Sequence, residues 1–380
     1  MVALIPRPLG GHHALKPGRI ALSASASSSS SMAPCPPHRR PFIPKGNVKG
    51  IFAGSGNAGM SSPFIAAAVI SLTRRLPEDL SLLYIGTASY DIAEYRHMQT
   101  GAFSSMGVAV RSLDVANVSV PREAMADAVD EADIILVSGG NTLYAVDRWE
   151  YLGLGDLLRD ATLNGKIVTG GSAGAICWFD GGHSDSMDPE THRLFKMKNA
   201  MKGGMKSLIF EEGTRSDDET EAETDTDSDE DSKESSASDW EYIRVGGLGI
   251  LPGLICPHHD RVQSNGVLRL TDFRSMMKRH SCEVGIGIDH FAALEIDGTE
   301  FRVLCIPGQT GSVDVGGGGG GKVPGVWINY VDDDGIVQSK VCPRSGKVSD
   351  LLQMLKYPAK HLVHDKRVKL CRKANPPLKD

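Results

Sequence analysis

The residues with the clearest chemical potential lie in Lys166–Gly174, KIVTGGSAG. A strand-like run ends in Gly170-Gly171-Ser172-Ala173-Gly174, and the helix-like AICWF follows. G-x-S-x-G between a strand and a helix is the pattern of a nucleophile elbow. A serine on such a turn takes a strained backbone conformation that small neighbours tolerate, and its Oγ projects above the sheet. Serine is a poor nucleophile until a base within hydrogen-bond reach takes its proton, and a third group must orient that base. His258 and His259 follow an apolar run that ends at Pro257, which puts them at another strand end. Two adjacent residues of an extended chain point opposite ways, so His258 is read as the base and His259 as its alternative. Asp289, in Gly287-Ile288-Asp289-His290, is one acid for the third place; its structural alternative is a carboxylate that bonds the amides of a neighbouring loop.

Two further glycine turns sit at strand ends. Ser138-Gly139-Gly140-Asn141-Thr142 offers backbone N–H groups at a helix start, with Asn141 or Thr142 as N-cap. Such a turn can hold an anion or form an oxyanion hole. Gly54-Ser-Gly-Asn-Ala-Gly59 matches the dinucleotide pattern G-x-G-x-x-G. The second strand, however, ends Tyr84-Ile85-Gly86-Thr87, with no acid for a ribose, so a tight turn is the preferred reading.

The elements that must position these turns alternate between strand and helix. Strands are expected at 48–53, 81–86, 109–113, 133–138 and 166–169, and helices at 63–76, 92–105, 122–132 and 143–163. DIILVS at 133–138 is apolar throughout, as befits a sheet covered on both faces. The fold class is therefore α/β: a mostly parallel, doubly wound sheet with helices on both faces. An apolar stretch at 243–255, a helix at 266–279 and a hairpin of 285–296 with 300–306 suggest a mixed edge.

The chain has 380 residues and a net charge of −6. Residues 211–239 alone carry 14 acids against Arg215 and Lys233, a net −12, so the remainder is +6. Six bases and no acid lie in residues 1–45, which leaves the rest near neutral and argues against a nucleic-acid partner. No stretch of about 18 apolar residues is present, so no membrane-spanning helix is expected. The seven cysteines make no CxxC pair and no metal-ligand spacing; they read as reduced thiols, with no metal and no cofactor implied.

Residues 1–45 are basic and Ser-rich, the composition of a transit peptide, which points to a chloroplast. The alternative is a disordered extension with a start at Met32 and a cytoplasmic protein. One α/β domain is expected over 46–358, with a disordered acidic insert at 211–239, a Gly-rich loop at 311–322 and a basic tail at 359–380.

SGGNT, GGSAGAICWFDGGHSDS, GLGILPGLICPHHD and GIGIDHFAALEIDG together resemble the peptidase E-like serine peptidases, a group that includes cyanophycinase and shares a glutamine-amidotransferase-like α/β fold. The resemblance covers roughly 47–210 and 240–310. It implies Ser172 as nucleophile and His258 as general base. It suggests Asp185, in His183-Ser184-Asp185, as the third member, with the gap from Ser172 slightly short for aspartyl dipeptidase. It also implies the amides of Gly140 and Ala173 as the oxyanion hole. The implied substrate is a short peptide, perhaps with an N-terminal acidic residue. Asn141, Arg261 and Arg269 are the candidates for holding it, the arginines as cations for an acidic side chain. The implied enzyme is a serine exopeptidase or dipeptidase without cofactor, and a homodimer is compatible with it. A catalytically silent binding module on the same fold is the alternative.

Overall fold

The computed structural model describes residues 48–186, 242–262, 266–314 and 321–352. The expectations for residues 1–45, 211–239 and 359–380, and for most of the glycine run, lie outside the described residues. All described residues fall in one compact unit, 35–380.

The first half alternates as its hydrophobic pattern requires. Strands β1 (Lys49–Ala53), β2 (Ser81–Ile85), β3 (Ala109–Ser112), β4 (Ile134–Val137) and β5 (Ile167–Gly171) form a parallel set in the spatial order β1-β5-β4-β2-β3. Helices α1 (Asn57–Met60), α2 (Pro63–Thr73), α3 (Ala93–Ser105), α4 (Arg122–Asp130), α5 (Thr142–Leu152) and α6 (Leu154–Leu163) connect them.

Side chains alternate between the faces of a strand, so each strand feeds two cores. Ile51, Leu82, Tyr84, Ile134 and Leu136 pack with Ile65, Val69 and Phe103 of α2 and α3. Phe52, Leu83, Ile85, Ile135 and Val137 pack with Met125, Val129, Trp149 and Leu158 of α4–α6. Each such side chain contributes about 1.5–3 kcal/mol when fully buried. The single helix expected over 143–163 is two helices: Gly153, at φ 74°, breaks it with a left-handed turn.

After β5 comes the four-residue helix α7 (Ala173–Ile176), and the chain then enters a second sheet. Its strands are β6 (Phe179–Ser184), β7 (Ile243–Gly246), β8 (Leu251–Cys256) and β9 (Gly285–Ile288). Helix α8 (Arg269–Arg279) packs on this sheet through Phe273, Met276 and Met277. Strands β10 (Ala292–Asp297) and β11 (Glu300–Cys305) return to the first sheet as an antiparallel hairpin beside β1. The rest are the short pair β12 (Val313–Asp314) and β13 (Lys322–Val323), then β14 (Val326–Val331), β15 (Val337–Val341) and β16 (Ser345–Lys347), with helix α9 (Val348–Leu352) at the end.

The first sheet thus has eight strands, β16-β11-β10-β1-β5-β4-β2-β3, and the second six, β15-β14-β9-β8-β6-β7. The architecture is mixed α/β. The expected hairpin over 285–306 is instead divided: β9 belongs to the second sheet, and only β10 and β11 pair as a hairpin. Among the described residues no helix is long and apolar enough to cross a membrane.

Candidate active site

Strand neighbours decide which loops meet. In the first sheet β5 lies between β1 and β4, so the turns after those strands flank the turn after β5. In the second sheet β8 and β9 run parallel and side by side, so the residues after them are also neighbours. The carboxyl ends of all five strands converge on one cleft of about 290 Å³. Ser55, Gly56, Asn57 and Ala58 come from behind β1, Gly139 and Gly140 from behind β4, and Ser172 from behind β5. His258 follows β8 and His290 follows β9. The 54–59 turn, expected to be merely tight, is one wall of this cleft.

Ser172 has φ 56° and ψ −119°, a conformation that costs a non-glycine residue roughly 1–3 kcal/mol. The surrounding backbone imposes it. Ser172 N donates to Ala53 O at 3.1 Å. A Cβ on Gly171 would stand 2.0 Å from Ser55 O, and one on Gly174 2.2 Å from Val137 O. Three strand ends are packed backbone to backbone around the serine, which is why its neighbours lack side chains.

His258 also has positive φ, 51°, and its N–H donates to Gly54 O at 2.9 Å. Its Nε2 lies 3.0 Å from Ser172 Oγ, the distance a proton acceptor needs. On the far side of the ring, His258 Nδ1 lies 2.8 Å from Nδ1 of His290. The His290 N–H donates to Asp260 Oδ1 at 2.7 Å, which fixes that residue's backbone. Burial and the nearby Arg261 guanidinium hold the His290 imidazole below its ordinary pKa, against the opposing pull of Asp260.

The adjacent His259 points the other way. It is buried beside Phe273 and Trp327, where the bare Cα of Gly287 makes room for its ring. Of the two histidines, the cleft receives His258.

The two acids considered for the third place lie elsewhere. Among the described residues the Asp185 carboxylate forms no hydrogen bond or ion pair, and its charge acts on His183. Asp289 is fully buried and accepts from Ser312 N at 2.9 Å, Ser312 Oγ at 2.7 Å and Gly325 N at 3.0 Å. It ties a loop to the core, the structural alternative expected for it. The group at His258 Nδ1 is His290, which the sequence reading passed over beside Asp289. Its signal was positional: it follows the apolar strand GIGI, as His258 follows LPGLIC.

Of the expected substrate-binding residues, Asn141 is spent on structure. Its Oδ1 caps α5 by accepting from Tyr144 N at 3.0 Å, and its Nδ2 donates to Tyr90 OH at 3.1 Å. Arg269 is nearly buried, donates to His183 O at 2.9 Å and stacks over Tyr242. Arg261 is half exposed and lies over Phe291, next to His290. Gly140, at φ 136°, lines the cleft together with Ser172, and Ala173 follows the serine as the first residue of α7.

Burial pushes the Cys177 thiol well up, so no second nucleophile lies behind the serine. Cys177, Cys256, Cys305 and Cys342 are free thiols, as expected for them. Among the described residues no cluster of three or more His, Cys, Asp or Glu could hold a metal.

Residues 51–202 match peptidase family S51. Taken with the site, this match supports a serine-type peptidase. The chain is 33% identical over 164 residues to the uncharacterized peptidase YgaJ of Bacillus subtilis (strain 168), a stretch that covers 43% of this chain and 65% of that protein. These two matches support a peptidase E-like family. It is also 27% identical over 328 residues to a Trypanosoma brucei brucei protein named G2/mitotic-specific cyclin-1, covering 80% of this chain and 88% of that one. Among solved structures it is similar to a Listeria monocytogenes EGD-e protein classed with peptidase E. That likeness has TM-score 0.44 and 16% identity, with 68% of this chain and 98% of that one covered. A peptidase from an acI-B1 Actinobacterium is similar at TM-score 0.47 and 14% identity, with 80% and 98% covered. Both structural likenesses are too loose to add to the assignment.

Proposed function

We propose that this chain hydrolyses short peptides as a serine exopeptidase or dipeptidase, with Ser172 as nucleophile on an elbow turn and His258 as general base. The observation that carries the reading is the 3.0 Å approach of His258 Nε2 to Ser172 Oγ, above a serine whose backbone is held at positive φ. His258 takes the hydroxyl proton as Oγ attacks the scissile carbonyl. The oxyanion rests on the amides of Gly140 and Ala173, where one donor is worth about 2.7–4 kcal/mol in the transition state. His258 then gives its proton to the leaving amine, and water resolves the acyl-enzyme by the same route in reverse.

The cleft volume suits a small substrate. A preference for an acidic residue would rest on Arg261, since Arg269 is committed to His183 O.

The test is Ser172→Ala against a panel of dipeptides. Turnover should fall by at least about a thousandfold with melting temperature unchanged. Equal turnover would reject the serine as nucleophile.

A further inference from the structure

His258 can serve as base only when its own proton sits on Nδ1, leaving Nε2 bare for the Ser172 proton. In a Ser-His-Asp arrangement a carboxylate, which only accepts, enforces that tautomer. Here the atom 2.8 Å from His258 Nδ1 is a ring nitrogen, Nδ1 of His290. Asp185 is bonded to neither histidine, and the Asp289 carboxylate is engaged by Ser312 and Gly325.

Building on the serine-peptidase reading, we propose that His290 is the positioning residue of this site: a neutral imidazole, bare at Nδ1 and protonated at Nε2, that accepts the Nδ1–H of His258. Its backbone is fixed for this by the bond to Asp260, and Phe291 stands edge-on against its ring. Among the described residues, the charged and titratable groups facing it are Arg261, Asp260 and His258 itself. Burial and Arg261 disfavour its cation, which keeps the accepting lone pair available.

An imidazole does what a carboxylate cannot: it has a second neutral tautomer. With the His290 proton on Nδ1, the bond reverses and His258 becomes the acceptor. The proton of His258 then lies on Nε2 and points at Ser172, so the serine has no base. The pair therefore has a productive and a silent register with the same two protons in each. During attack the Ser172 proton moves to His258 Nε2, His258 becomes imidazolium, and His290 stays neutral. That proton later leaves with the amine.

The rate of Ser172 labelling by a fluorophosphonate, followed against pH, tests this without knowledge of the substrate. His290→Ala should slow labelling by about 10²–10⁴-fold. His290→Glu should restore most of the rate, because a carboxylate accepts the same proton. It should also move the acid limb about one pH unit higher, since a carboxylate raises the proton affinity of His258. Equal rates and identical pH profiles for wild type and His290→Ala, at equal melting temperature, would overturn the proposal and leave the peptidase reading intact. A folded wild type that is never labelled would count against the peptidase reading instead. Nitrogen-15 shifts of histidine-labelled protein then decide the pair on their own. A protonated Nδ1 on His258 facing a bare Nδ1 on His290 is expected, and the reverse tautomer overturns the assignment.

Discussion

Ser172 and His258 are two of only five non-glycine residues at positive φ among those described. Strain of that kind persists only where packing over-determines it, and here it holds both partners of the 3.0 Å hydrogen bond. G-x-S-x-G in strand–turn–helix context made the serine legible in the sequence. The identity of the base was half legible, since the order His258-His259 fixes that one points out and one in, but not which. The third group was not legible: two acids were nearby in sequence, and only the lateral pairing of β8 with β9 brings His290 to the ring. Arg261→Ala should lower kcat/KM for peptides with an N-terminal acid by about tenfold relative to neutral peptides, as a competition assay would show; an unchanged ratio removes Arg261 from specificity. His183 supplies a prediction on stability. Burial pushes its imidazole down to about 4, against the hydrogen bond it donates to Asp272 and the Asp185 charge. The unfolded chain takes a proton below about 6.5 that the folded one refuses, so this stability is complete above that pH and drains away as pH falls toward about 4. The loss is on the order of 3 kcal/mol. Asp180, held up at about 6 chiefly by burial, works in the opposite sense, its cost growing as pH rises from about 4 to 6. Melting curves of His183→Gln should show a shallower fall between pH 6.5 and 4 than wild type, whatever its absolute stability.

Among the elements, the parallel strands were read within one or two residues, because a buried β4 such as IILV admits few other readings. Helix ends were less legible: the break at Gly153 depends on one glycine adopting a left-handed turn inside an otherwise continuous apolar pattern. The turn around Ser172 is the least forgiving element. Gly171→Ala would drive a methyl into Ser55 O, and Gly174→Ala one into Val137 O. Either should abolish fluorophosphonate labelling, with a loss of stability of several kcal/mol in denaturant titration. A labelled, fully stable Gly174→Ala would show that the strand ends are less tightly joined than described.

At the scale of the molecule, the second sheet escaped the sequence reading. Its strands carry glycines, as in FDGGHS and GIGI, and they come from stretches far apart in the chain, so no local alternation announces them. One buried ion pair spans it. Arg244 on edge strand β7 donates from Nε to Glu283 Oε2 at 2.8 Å, and from Nη2 to Oε1 at 2.5 Å, just before β9. Between β7 and β9 lie β6 and β8. Glu283→Ala would remove the carboxylate that takes two of the buried guanidinium's N–H groups and should cost about 3–5 kcal/mol, read as a fall in the denaturant midpoint.

Consecutive carbonyls of one strand end, Ala53 and Gly54, receive the amides of Ser172 and His258. Those two residues therefore share a common datum: whatever nudges that strand carries both the same way and leaves the gap between them unchanged. His290 is referred to that strand end only at one remove, because Gly54 N donates to Ala292 O, two residues beyond it, and its own backbone N–H donates to the Asp260 carboxylate, two residues beyond His258. One more link thus separates the two imidazoles than separates the serine from its base, and wear from heat or distant mutation should register first as a mis-set proton, with the serine itself still in place.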